Sequence, residues 1–165
     1  MGKIPDDPVY FIVRRAPDMV LNPNRYRKTP WEELAEATRV LRYQTYFDVH
    51  RSGFPGYFFD MPVVEVFACI CWTNANRAHT DEINLPHLLT KPMFDGMQDA
   101  KLVRDDSQFR LMRVEQYVLT KAQRSHFPNG CVIIGVTPGH ERETITPIDR
   151  DGFVTQAWLD GIPRE

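Results

Sequence analysis

The stretch VVEVFACICWT, from Val63 to Thr73, decides the fold. Its only charged residue is Glu65. Valine, isoleucine, phenylalanine and tryptophan favour the pleated backbone. A nearly continuous apolar run of this length belongs to a strand with neighbours on both sides, so these residues are expected at the centre of a sheet. Two other runs are its natural partners. VYFIVR at Val9–Arg14 and CVIIGVT at Cys131–Thr137 have the same β-branched and aromatic character. FRLMRVEQYVLT at Phe109–Thr120 alternates more and reads as a half-exposed strand. Strict alternation would put Phe109, Leu111, Arg113, Glu115, Tyr117 and Leu119 on one face.

Helices fall between the strands. Thr29-Pro30-Trp31-Glu32 announces one, with Thr29 as N-cap, Pro30 at the first helical position and Glu32 completing a capping box. Leu34, Ala37, Leu41, Thr45 and Val49 then recur at steps of three and four, and the helix should end near Ser52-Gly53. Pro86–Gln98 reads as a second helix, or as two pieces divided at Pro92. Residues 16–30 read as a loop, Phe54–Met61 as an aromatic connection, Asn74–Glu82 as a polar loop and Arg104–Ser107 as a polar turn. The order β–α–β–α–β–β implies an α/β (α+β) fold, with helices packed on a small mixed sheet. Pro138-Gly139 closes that body, giving a domain over residues 1–139 and a charged C-terminal extension over 140–165.

Composition sets the outer bounds. At 165 residues, 42% hydrophobic and 25% charged, the chain has ordinary globular usage for one domain. No apolar run approaches the roughly 20 residues of a membrane helix, and the first residues lack a signal-type apolar core. A cytoplasmic protein without a membrane association is expected. Cys69, Cys71 and Cys131 show no zinc-type spacing and are expected as reduced thiols in strands. The net charge of −2 argues mildly against nucleic acid, although local clusters matter more than the sum.

Carboxylates gather around the second helix. Asp81 and Glu82 precede it, Lys91 and Asp95 share one of its faces four residues apart, and Asp105 and Asp106 follow in the turn before the next strand. Loops at one end of a layered fold converge, and sites form there. Hard oxygen ligands beside a lysine suit magnesium-assisted phosphodiester hydrolysis. The same residues also fit a plain Asp-Asp-Ser turn and a plain surface ion pair.

Three segments, in order, resemble the RusA-type Holliday junction resolvases, small homodimeric magnesium-dependent endonucleases that cut four-way DNA junctions. Asn22-Pro-Asn-Arg-Tyr-Arg27 is similar to the family's N-R-Y segment. Lys91-Pro-Met-Phe-Asp95 is similar to its K-x-x-x-D helix, and Asp105-Asp106-Ser-Gln-Phe109 to its D-D-x-Q-hydrophobic turn. The interval from Asp95 to Asp105 matches without a gap. The resemblance spans residues 9–137 and implies a RusA-like fold, Mg2+ as cofactor, branched DNA as substrate and a homodimer. It implies Asp81, Glu82 and Asp106 as metal ligands, and Lys91, Asp95 and Asp105 as the residues that act on or orient the scissile phosphate. One segment departs from the pattern. The family's D-x-D-N is represented by Asp81-Glu-Ile-Asn84, with Ile83 at the second aspartate and seven residues from Asn84 to Lys91 where the family has three. Glu82 or His87 could replace the missing ligand. Otherwise the chain is a catalytically weakened or inactive protein of this fold that binds branched DNA or replication proteins.

Basic residues outside the acidic group have two readings. Arg14, Arg15, Arg25, Arg27, Lys28 and Arg77 could meet phosphates or form a solvated surface, and the match at Asn24-Arg25-Tyr26 favours DNA. Trp31, Phe54 and the run Tyr57-Phe58-Phe59 could stack on bases or pack. Trp31, at a helix start, is expected to pack.

Overall fold

β2 (Val64–Trp72) lies inside a four-stranded sheet. A computed structural model describes residues 8–54, 56–74 and 85–139, apart from the side chains of Tyr26, Leu85 and His87. The expected loop at residues 75–82 and the extension at 140–165 lie outside the described residues. The other strands are β1 (Val9–Val13), β3 (Phe109–Val118) and β4 (Cys131–Pro138), in the spatial order β1-β4-β2-β3. β4 is antiparallel to both β1 and β2, while β2 and β3 are parallel. The protein is therefore mixed α+β with a mixed sheet.

Two long helices cover one face. α2 (Trp31–Arg51) follows the short α1 (Pro23–Tyr26), and α3 (Leu85–Asp99) follows β2. Leu34, Leu41, Thr45 and Val49 are the buried residues of α2, the positions its periodicity picks out. They meet the sheet face that carries Phe11, Val13, Val64, Val66, Ile70, Trp72, Val132, Ile134 and Val136. Each fully buried side chain of this size contributes about 1.5–3 kcal/mol through removal from water. Trp72 also satisfies its indole, whose Nε1 donates to Gln116 Oε1 at 3.1 Å.

α2 and α3 touch closely because Gly96 faces α2. A Cβ there would stand 2.6 Å from the Arg42 carbonyl oxygen and 2.7 Å from Thr45 Cβ. Pro92 does not divide α3, which runs through it as one helix. Proline lacks the N–H that would meet the carbonyl one turn earlier. Its ring is buried in exchange, beside the buried Met93.

Three local expectations are corrected. Thr29 is not the N-cap of α2: Pro30 holds that place without a side-chain cap, and the Thr29 hydroxyl donates to the Arg25 carbonyl at 2.8 Å. The segment 16–30 is not all loop. Asp18 caps a 3-10 turn over Met19–Leu21, and Asn22 caps α1 by accepting from the Asn24 N–H at 3.0 Å. Trp31 does not pack: it is 72% exposed. Between β3 and β4, α4 (Lys121–His126) starts from a capping box of Thr120 and Gln123.

The largest correction is in β3. Val66 pairs with Leu111 and Phe67 with Arg113, so Met112 is an extra residue, a bulge. The two faces exchange there. Phe109 and Leu111 face the helices before the bulge, and Val114 after it packs on the same core. Arg113, Glu115 and Tyr117 point to the opposite face, not to the face of Phe109 and Leu111. Leu119 lies past the strand and is buried against Cys71 and Cys131.

Candidate active site

The link between the Lys91–Asp95 pair and the Asp105–Asp106 pair is built from backbone geometry. α3 continues to Asp99 and closes with a Schellman turn. Lys101 N–H donates to the Gln98 carbonyl at 2.9 Å and Leu102 N–H to the Met97 carbonyl at 3.1 Å. Lys101 takes the left-handed conformation, φ 66°. Leu102 and Val103 then bury completely and anchor the chain. The next residues emerge as Arg104, Asp105 and Asp106. The ten-residue interval is thus one helix end, one reversal and two apolar anchors.

Asp105 caps a 3-10 turn at Asp106–Gln108. Its Oδ1 accepts from the Ser107 N–H at 2.8 Å, and Gln108 Oε1 accepts in return from the Asp105 N–H at 2.8 Å. Gln108 Oε1 also accepts from the Arg104 N–H at 2.9 Å, and its Nε2 donates to the carbonyls of Phe59 and Met61. Arg104 meets Asp60 and lies over the Phe59 ring, 5.0 Å from its centre. One glutamine amide therefore ties the acidic turn to the connection between α2 and β2. The Ser107 backbone N–H holds Asp105 below the usual carboxylate range.

Asp106 is pushed the other way. Desolvation is the largest cause, followed by the Asp105 carboxylate and the charge of Asp95, while Lys91 opposes the shift. Lys91, Asp95 and Asp106 are thus within electrostatic reach of one another. Lys91 Nζ stands 3.8 Å from Asp95 Oδ2. Arg42 of α2 approaches the same oxygen, Nη1 to Oδ2 at 3.6 Å, and forks onto Asp99 with Nε–Oδ2 at 2.7 Å and Nη2–Oδ1 at 3.0 Å. Asp95 is held between two cations, whereas Asp106 has no such pairing among the described residues.

The structure brings Lys91, Asp95, Asp105 and Asp106 together. Asp81, Glu82 and Arg77 lie outside the described residues, as does the side chain of His87. Among the described residues no group of three or more His, Cys, Asp or Glu side chains is placed to hold a metal ion. Magnesium binds through one or two carboxylates and keeps its waters. Asp106 supplies one oxygen donor of that kind, while Asp81 and Glu82, the other expected ligands, lie outside the described residues.

The basic residues are spread over several surfaces. Arg25, Arg27 and Lys28 are exposed around α1, together with Asn24. Arg14 is exposed over the Phe127 ring, and its N–H donates to Asp48 Oδ2 at 2.8 Å. Arg15 is half-buried, its Nε has no hydrogen-bond partner, and it lines a cleft with Asp18, Glu33 and Glu36. Trp31 stands beside Lys91, Arg39 and Arg42 around a second cleft.

Sequence reasoning missed Arg42 and Gln108. Arg42 pairs across helices with residues more than fifty positions away, a relation no local spacing encodes. Gln108 carried a signal in the D-x-x-Q pattern of a capping box. The three cysteines are free thiols, as expected. No helix among the described residues is long and apolar enough to cross a membrane. No protein-family model matches this chain, and no curated protein matches it either.

Proposed function

We propose that this protein is a magnesium-dependent endodeoxyribonuclease acting on branched DNA, of the RusA-like kind and homodimeric, working in the cytoplasm in recombination and repair. The observation that carries the reading is the juxtaposition of Lys91, Asp95 and Asp106 from two separate segments. A bound magnesium ion would supply a nucleophilic hydroxide and stabilise charge on the leaving oxygen. Asp106, with Asp81 or Glu82, would hold it. Lys91, exposed at the surface, donates to a non-bridging oxygen of the scissile phosphate. Asp95 fixes the start of that side chain's reach, and Arg42 fixes Asp95. Asp105 orients Asp106 through the cap it forms. Arg14, Arg15, Asn24, Arg25, Arg27 and Lys28 are candidate contacts to the arms of the junction, and Arg77 beside the acidic loop is another.

The test is a synthetic four-way junction incubated with purified protein in magnesium. Symmetric nicks are expected, and Asp106→Asn is expected to lower their rate by at least about 100-fold while binding persists. A protein that shifts the junction on a gel but never nicks it, in magnesium or manganese, would sink the enzyme reading. That result would favour the second reading, a binder of branched DNA or replication proteins. The residue Ile83 in place of an acid and the commitment of Asp105 to capping speak for it.

A further inference from the structure

All three cysteines of the chain meet on the sheet face turned away from the two long helices. Sequence separates them, with Cys69 and Cys71 on β2 and Cys131 at the start of β4. The antiparallel pairing of β2 with β4 sets Cys71 directly opposite Cys131, and Cys69 opposite Ile133. Cys71 and Cys131 are 3% and 2% exposed and cluster with Leu119, and Phe127 packs against them. A buried thiol often serves as a small apolar side chain, and packing alone would account for one of them. Here two thiols are opposed and unequal. The Cys71 S–H donates to the Cys131 sulfur and holds that thiol below its usual range, and the nearby Arg14 guanidinium adds to the effect. Arg14 is fixed there over the Phe127 ring, 5.4 Å from its centre. Cys71 is raised by the same hydrogen bond and by burial, and burial pushes Cys69 up to about 11.

We propose that Cys71 and Cys131 are a redox-active dithiol that a peroxide closes into a disulfide within one chain. Directly opposed residues of an antiparallel pair have Cα atoms about 4.5–5.5 Å apart. That lies inside the roughly 4.4–6.8 Å that a disulfide spans. Both side chains leave the sheet on the same face, so the strands keep their places. Cys69 has no such partner. Along the strand, its side chain stands about 6.7 Å from that of Cys71, whereas a disulfide holds its Cβ atoms at about 3.8 Å. Across the strands, Cys69 and Cys131 are diagonal neighbours at about 7–8 Å. A cleft of about 340 Å³, lined in part by Cys69 and Ile133, opens to solvent beside the pair and admits a molecule as small as hydrogen peroxide. The Cys131 thiolate attacks one peroxide oxygen, the O–O bond breaks, and hydroxide leaves and takes up the proton the thiol released. The Cys71 sulfur then attacks the sulfenic acid so formed, the S–O bond breaks, and the hydroxyl leaves with the Cys71 proton as a second water. The two sulfurs lose two electrons, and the peroxide gains them. The bridge closes a loop of about 60 residues and ties the two central strands, which should raise the melting temperature by about 5–15 °C. None of this depends on nuclease chemistry or on the Lys91 site.

Mass spectrometry on the full chain tests the proposal. The folded protein is treated with hydrogen peroxide, then unfolded, and its remaining thiols are alkylated. The expected product has lost two hydrogens, yields a linked pair of peptides holding Cys71 and Cys131, and carries the alkyl label on Cys69. Dithiothreitol should restore the starting mass and reverse the rise in melting temperature. Cys69→Ser should still form the bridge. Cys71→Ser should stop at a sulfenic acid on Cys131, trapped by dimedone, a product that a merely packed thiol would not give. If Cys71→Ser fails to fold, which circular dichroism would reveal, the wild-type peptide map and the Cys69→Ser variant still decide. A wild-type chain whose three cysteines all take the alkyl label after peroxide overturns the proposal. So does a bridge that includes Cys69, a disulfide between two chains, or oxidation confined to Cys69.

Discussion

Lys101 shows how one residue can report on the geometry of a site. It holds the left-handed backbone of the turn that ends α3, where any side chain is strained and glycine is not. Lys101→Gly is expected to stabilise the fold by about 0.5–1 kcal/mol, read as a higher melting temperature. No change in Asp106 placement is expected, since the turn's hydrogen bonds remain. Gln108 is the opposite case. Its amide joins Arg104, Asp105, Phe59 and Met61, and Gln108→Ala should cost about 1–3 kcal/mol in denaturant unfolding. Its effect should exceed that of Asp105→Ala, which removes a single cap. The acidic residues of this turn were legible from residue order, since Asp105-Asp106-Ser-Gln carries its own capping signal. Arg42 was not, because its partners come from another helix. Nor was the exposure of Trp31, for which a helix start offers the same signature whether the ring packs or not.

Elements were legible where a period repeats and illegible where it breaks. The long apolar run at Val64–Trp72 and the three-and-four spacing of Leu34, Leu41, Thr45 and Val49 give strand and helix directly. β3 defeats alternation because Met112 doubles one position against Val66 and Phe67. A bulge leaves no mark in a sequence whose residues on either side fit a strand equally well. The pairing makes a sharp prediction. Deleting Met112 leaves Leu111 on Val66 and Arg113 on Phe67, so the faces do not change. That variant should fold, with a loss below about 2 kcal/mol in urea unfolding. Deleting Val114 instead sends every later residue to the wrong face, and no soluble folded protein is expected. Pro92 was readable only as an ambiguity, because a buried proline inside a helix is decided by what packs on its ring.

For the molecule as a whole, a sheet covered by the two long helices on one side and, among the described residues, by little more than Leu119 and Phe127 on the other sets the terms of stability. If the proposed homodimer forms only from chains that fold together, folding and association are one equilibrium. The melting temperature should then rise with protein concentration, each tenfold increase adding about 1.4 kcal/mol per dimer. Scanning calorimetry over a hundredfold range of concentration would read this, and a melting temperature indifferent to concentration would count against it. The fold class was legible from the strand and helix inventory; which face of the sheet the helices cover was not, because β4 reads as apolar throughout and hides which of its residues look outward.

The Met112 bulge carries one more consequence. β3 is an outer strand of the sheet among the described residues, pairing with β2 along one backbone row and presenting the other at the edge. Such a row can template the addition of a strand from another molecule, and repeated addition grows ribbons and fibrils. The extra residue interrupts the row near its middle, and Arg110 and Arg113 set charge on both sides of the break. Solubility at high concentration is therefore guarded at the very place where the two faces of the strand change over.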